Sequence, residues 1–173
     1  MKYWTERIMN NGRIEKCYWP ELRMLQGKQM EMEARMRAIL DMGKVILSKE
    51  RAVIQTGIPV KEGKLLTAYH LRHTDRMEQR VAEAQFKRMI RRTGADTAIF
   101  VQEVWVGGEE CTCWPSEHPQ RREAIAVIGM NQRGYCKSLA QVFTRDSNNI
   151  IIFLGEPEIA EASAYYLADV WEL

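Results

Sequence analysis

The chain has 173 residues, 46% of them hydrophobic and 28% charged. That length suits one domain spanning residues 1–173, able to bury about 70% of its unfolded surface without help from a disulfide or a metal. The composition excludes a disordered chain, and a net charge of +2, from 25 basic and 23 acidic residues, argues against a dedicated polyanion binder.

The first 16 residues, MKYWTERIMNNGRIEK, are polar and lack the apolar core of a secretory signal. The most continuous apolar runs, residues 124–130 and 150–154, are too short to span a bilayer. These features lead us to expect a cytoplasmic protein with no membrane partner. Cys17, Cys111, Cys113 and Cys136 are then expected as free thiols.

Residues 21–47 repeat apolar side chains at helical spacing (Leu25, Met32, Met36, Ile39, Leu40, Ile46, Leu47), with Pro20 as the stop before them. Glu31 with Arg35 and Glu33 with Arg37 are i,i+4 pairs in the favourable order. Residues 48–70 are rich in turn signals: Thr56-Gly57-Ile58-Pro59 and Lys61-Glu62-Gly63 both read as turns. The pieces between them, 52–55 and 65–69, read equally as strand or loop.

A second helix follows over residues 74–92. Thr74 suits the N-cap, Asp75 the first turn, Arg91 and Arg92 the last turn, and Gly94 the stop. Ala82, Phe86, Met89 and Ile90 share one face, and Arg76, Arg80, Lys87 and Arg91 form a stripe on another. Residues 97–106, 122–130, 135–145 and 150–154 then read as four short strands, with turns at 131–134 and 146–149. The connection over 107–120 is too long to be a simple turn. Residues 157–171 read as a C-terminal helix, with Pro157 in its first turn and Glu158 and Glu161 at its N-terminal end. The expected fold is therefore α+β: a four-stranded antiparallel meander with N-terminal and C-terminal helices packed on it. Residues 1–70 form the helical or irregular part, and 71–173 the helix, sheet and last helix.

The most distinctive chemistry lies in the long connection. Cys111, Cys113 and His118 lie close together there, and Cys136 is a fourth candidate ligand; zinc accepts a Cys₃His set. The Cys-x-Cys spacing is tighter than that of common zinc knuckles, and a second knuckle is missing, so no cofactor is expected, with zinc as the alternative. A thiol enzyme would use Cys111 or Cys113 as nucleophile, His118 as base and Glu117 or Glu123 to orient it, with Arg121 and Arg122 favouring the thiolate. No local signature of a cysteine enzyme surrounds these residues.

Glu103 and Glu123 fall on adjacent expected strands, with Asp146 near a strand end, as a metal-dependent phosphodiesterase would need. The lysine required two residues after the glutamate is absent, since Trp105 and Ile125 stand there. Glu123 beside Arg122 reads instead as an ion pair.

The stripe Arg76, Arg80, Lys87 and Arg91 could meet phosphates. Glu83 interrupts it and, at i,i+4 from Lys87, reads as the partner of that cation, so a solvated face is the preferred reading. His70 and His73 are three apart and read as polar residues on the approach to the helix. Gly-rich phosphate loops and the Gly-x-Ser-x-Gly elbow are absent from the sequence. Residues from Glu103 and Trp105 through Pro115-Ser116-Glu117-His118-Pro119 to Arg122-Glu123-Ala124 resemble phage and prokaryotic proteins without assigned activity, and the resemblance implies none.

No complete catalytic set emerges, and the leading expectation is a non-enzymatic interaction or accessory protein. Ten methionines suit a soft core or an adaptable surface. A protein partner or a homodimer is expected. A small metal- or thiol-dependent enzyme and a nucleic-acid binder are the alternatives.

Overall fold

Two segments carry apolar side chains at helical spacing and lie against opposite faces of one sheet. In the computed structural model, which describes residues 12–17, 19–25, 30–107, 117–162 and 169–171, these are α1 (Met32–Glu50) and α2 (Arg76–Thr93). Met36, Ile39, Leu40 and Leu47 form the buried stripe of α1. Gly43 interrupts that stripe where the helix comes closest to the sheet: a Cβ there would meet Ile125 Cδ1 at 2.8 Å. The helix begins at Met32, later than the expected 21; Pro20–Met24 is a separate 3₁₀ turn.

The N-cap of α2 lies one residue after the expected Thr74. Asp75 is the N-cap, its Oδ1 accepting from Glu78 N at 2.8 Å. Glu78 reaches back in turn and accepts from Thr74 N and Thr74 Oγ1, both at 2.6 Å, a reciprocal arrangement of the capping-box kind. Gly94, at φ 70°, closes the helix in the left-handed conformation that glycine adopts without strain.

Among the described residues the sheet has nine strands: β1 (Arg13–Lys16), β2 (Thr56–Lys61), β3 (Lys64–Leu65), β4 (Tyr69–Arg72), β5 (Thr97–Val106), β6 (Arg122–Asn131), β7 (Cys136–Arg145), β8 (Ile151–Phe153) and β9 (Glu158–Glu161). Their order is β1-β4-β2-β5-β6-β7-β8, with β3 on β2 and β9 on β7. Every pairing is antiparallel. This overturns the four-stranded meander flanked by terminal helices. The segments expected as its strands lie near β5–β8, within a larger sheet that residues from the first half of the chain extend.

The correction has two physical causes. Thr56-Gly57-Ile58-Pro59, read as a turn, is strand β2. Pro59 is tolerated because its carbonyl accepts from Leu66 N, so its ring nitrogen faces that same edge, away from the β5 ladder. Gly57 is required because the Phe86 ring lies on it: an added Cβ would sit 2.5 Å from Phe86 Cζ. At the other end, residues 158–161, read as helix, form β9. β8 pairs with Phe143–Arg145 of β7, and β9 pairs with Lys137–Ala140 along the same edge. Open ladder positions on β7 thus outweigh the local helical signals. Where the paired edge breaks, buried Gln141 donates Nε2 to the carbonyls of Leu154 (2.8 Å) and Gly155 (3.0 Å). Of the remaining residues expected in the helix, 163–168 lie outside the described residues, and 169–171 form a turn.

Side chains alternate across the sheet. Ile99, Val101, Ile125, Val127 and Leu139 face α1, while Ala98, Phe100 and Met130 share the core of Phe86 and Ile90 on the α2 side.

Candidate nucleic-acid interface

Helix α2 carries six basic and two acidic residues. Both acids are turned inward. Glu78, 5% exposed, is used in the N-terminal cap, and Glu83, 6% exposed, accepts from Gln79 Nε2 at 3.0 Å. Burial pushes the Glu83 carboxyl above its usual range, against the hydrogen bonds of Gln55 and Gln79 and the charges of Lys87 and Arg80.

The consequence for the outer face is direct. Arg76, Arg80, Arg88, Arg91 and Arg92 are exposed, and no acid of the helix interrupts them. Glu83 does not pair with Lys87. The Lys87 ammonium instead meets Asp169 at 2.6 Å. Arg91 donates Nε to the Val170 carbonyl at 3.0 Å and Nη2 to the Asp169 carbonyl at 2.8 Å, and keeps its charge in doing so. Of the expected stripe, Lys87 and Arg91 therefore anchor the 169–171 turn, and Trp171 Nε1 completes the anchor by donating to Ala95 O at 2.9 Å. Arg76 and Arg80 at one end, and Arg88 and Arg92 at the other, have no ion pair among the described residues. They are spread over 17 residues, whose 16 steps make about 24 Å of helix.

The position of Glu83 was legible in principle. It precedes Phe86 by three and Ile90 by seven residues, which places it on the apolar face. Asp169 as the partner of Lys87 had no such signal, because 82 residues separate them.

The other candidates are placed as follows. Cys111 and Cys113 lie outside the described residues. His118 stands in the turn before β6, its Nδ1 accepting from Gln120 N at 3.0 Å. Cys136 begins β7 and pairs with Met130, at the far end of β6 from Arg122. That strand length puts about 26 Å between the His118 end of the sheet and Cys136, well beyond any shared metal. Among the described residues there is no group of three His, Cys, Asp or Glu side chains able to hold a metal.

Glu103 and Glu123 do approach each other, and Arg145 lies between them. Arg145 Nη2 meets Glu103 Oε1 at 2.8 Å, and its Nε meets both oxygens of Glu123 at 3.2 Å. Its Nη1 donates to the Arg51 carbonyl at 2.7 Å. The partner of Glu123 is thus Arg145 rather than Arg122, and a guanidinium occupies the place a metal would need. His70 bonds Thr56 Oγ1 through Nδ1 at 3.1 Å, while His73 bonds Gln55 through Nε2 at 3.0 Å, so the two imidazoles serve different partners.

The architecture is that of an antiparallel α+β sheet protein with one helix exposing a cationic face. The family described as bacteriophage lambda protein ea47 matches residues 5–172, and the chain belongs to that family. No curated protein and no solved structure matches. No helix among the described residues is long and apolar enough to cross a membrane.

Proposed function

We propose that this chain is a non-enzymatic accessory protein that holds a nucleic acid by its phosphates along the outer face of α2. The observation behind this reading is the inward placement of Glu78 and Glu83, which leaves exposed arginines over about 24 Å of helix. Arginine suits the task because its planar fork stays charged and meets phosphate bidentately. The modest net charge of +2 concerns the whole chain and does not weaken a local patch.

The test is binding of a labelled DNA strand across a salt series. With about four phosphate contacts, log affinity should fall against log salt with a slope of about −3 for a single strand and about −3.6 for a duplex. Changing Arg76, Arg80, Arg88 and Arg92 to glutamine should flatten that slope. Flow-through of the wild-type protein at low salt, or an unchanged slope in the fourfold variant, sinks the reading.

A second reading, pairing with another copy, rests on a separate observation. Ile150, Ile152 and Leu154 are 43%, 45% and 46% exposed in and beside β8. A two-fold antiparallel pairing centred on Ile152 would set Ile150 against Leu154 of the other copy, with no charge between them. Sedimentation of wild type and Ile152→Lys decides this: a dimer that the lysine dissociates supports it, and a wild-type monomer removes it.

A further inference from the structure

β2 begins at Thr56, opposite His70 and Val101, while β4 and β5 run on beyond it to Arg72 and Val106. A cleft of about 410 Å³ opens at that point, with Gln79 of α2 in its lining. Its size is at the small end for ligand pockets. Val53, Ile54 and Leu71 supply apolar wall. The charged groups around it are already engaged: Glu103 with Arg145 and with Val53 N, Arg72 with Glu15.

What remains is a set of neutral hydrogen-bonding groups. His73 Nε2 lies 3.0 Å from Gln55 Oε1, and Gln55 Nε2 donates to Gln102 Oε1 at 3.0 Å. An amide oxygen only accepts, so this relay assigns the proton to His73 Nε2 and leaves Nδ1 as an acceptor. Among the described residues nothing accepts from the Gln102 amide hydrogens. Gln79 spends its Nε2 on Glu83 and keeps Oε1. Burial disfavours the charged form of the His73 imidazole and holds its pKa below the ordinary value, against the pull of Glu78 and Asp75.

We infer that this cleft takes one unpaired nucleobase of the strand whose phosphates lie on α2. The inference rests on the phosphate reading of α2 and adds the strandedness and a base contact. A nucleobase is neutral, has apolar faces and presents donors beside acceptors on its edge. Gln102 and Gln79 match that edge, as amides do when they read bases elsewhere. Gln79 shares a helical turn with Arg76 and Arg80, so a strand held by those arginines passes the mouth of the cleft. A base enters only when unstacked, so the ligand is single-stranded or carries an extruded base.

Fluorescence anisotropy with single strands of equal length tests this, using oligo-dA, oligo-dC, oligo-dT and an abasic strand of the same phosphate count. The wild-type protein should rank the homopolymers and bind the tightest about tenfold better than the abasic strand. Gln102→Leu and Gln79→Leu should each level that ranking with the salt slope unchanged. Gln79 and Gln102 are both half-buried on different elements, α2 and β5, so either variant carries the test if the other fails to fold. Equal binding of all four strands, or a ranking that survives both variants, overturns the base site and leaves the phosphate reading standing. Failure of every strand to bind at low salt overturns both.

Discussion

Lys87 holds Asp169 at 2.6 Å across 82 residues of sequence, and turns away from Glu83 one helical turn before it. The pair joins the end of the chain to α2, and Val170, 1% exposed, enters the core beside it. Asp169 is well exposed, and its carboxyl is held below the usual range by the hydrogen bond and charge of Lys87. An exposed pair of this kind adds little to stability, because solvent screens it. The larger effect falls on binding. Asp169→Asn frees the Lys87 ammonium, so affinity for a single strand should rise and the salt slope should steepen by about 0.7. Unchanged binding in that variant places Lys87 outside the interface.

Glu83 gives a pH signature. Burial raises its carboxyl pKa in the folded state, so the native protein binds a proton that the unfolded chain releases. Its contribution is therefore fully present below the unfolded carboxyl range and is lost as pH rises through the raised folded value. Thermal melts of wild type and Glu83→Gln from about pH 4 to pH 7 should diverge in that direction, with the wild type losing stability relative to the variant as pH rises. Parallel curves would mean that Glu83 titrates normally.

The parts of the fold visible in the sequence are those bounded by local chemistry. Asn131 Oδ1 accepts from the backbone of Arg133 and Tyr135, and Asp146 Oδ1 from that of Asn148 and Ile150, so the turns around β7 carry their own signals. Asp75 and Gly94 mark α2 in the same way. The outer strands have no such marks. β1 is four residues long and pairs with β4, more than fifty residues away, and Pro59 disguises β2 as a turn. Pro157 and Glu158 imitate a helix start, and only the open edge of β7 decides otherwise. Arg76 and Arg80 of the candidate interface were legible in a helical stripe; Arg88 and Arg92 were not part of it, and its other members, Lys87 and Arg91, bind the 169–171 turn. The cleft was not legible, because Gln55, His73 and Gln102 meet only through the pairing of β2 with β4 and β5.

Arg145 is the cross-brace of the sheet end opposite the hairpin of β6 and β7. It joins β5, β6 and the C-terminus of α1 through Glu103, Glu123 and the Arg51 carbonyl. Arg145→Leu removes a donor from the Arg51 carbonyl and from two half-buried carboxylates, leaving Glu103 only its bond from Val53 N. The loss should be about 2 kcal/mol, read as a lower denaturant midpoint. Glu123→Gln, which leaves Glu103 and Arg51 in place, should cost less than half of that. Equal losses in the two variants would show that Arg145 acts through Glu123 alone.

Gly57 and Phe86 supply a packing test that is independent of charge. A Cβ on Gly57 would lie 2.5, 2.6 and 3.0 Å from three carbons of the Phe86 ring. The ring cannot retreat, because Phe100 packs edge-on at 5.0 Å between centroids and Tyr69 at 6.5 Å. Gly57→Ala should therefore destabilise by about 2 kcal/mol through overpacking. Phe86→Leu removes ring atoms and by itself should also destabilise. In the double variant the smaller side chain accommodates the new methyl, so the combined loss should be smaller than the sum of the two single losses, a coupling that a double-mutant cycle measures. Strict additivity would mean that the ring and the strand do not press on one another, and that the approach of α2 to β2 is set by other contacts.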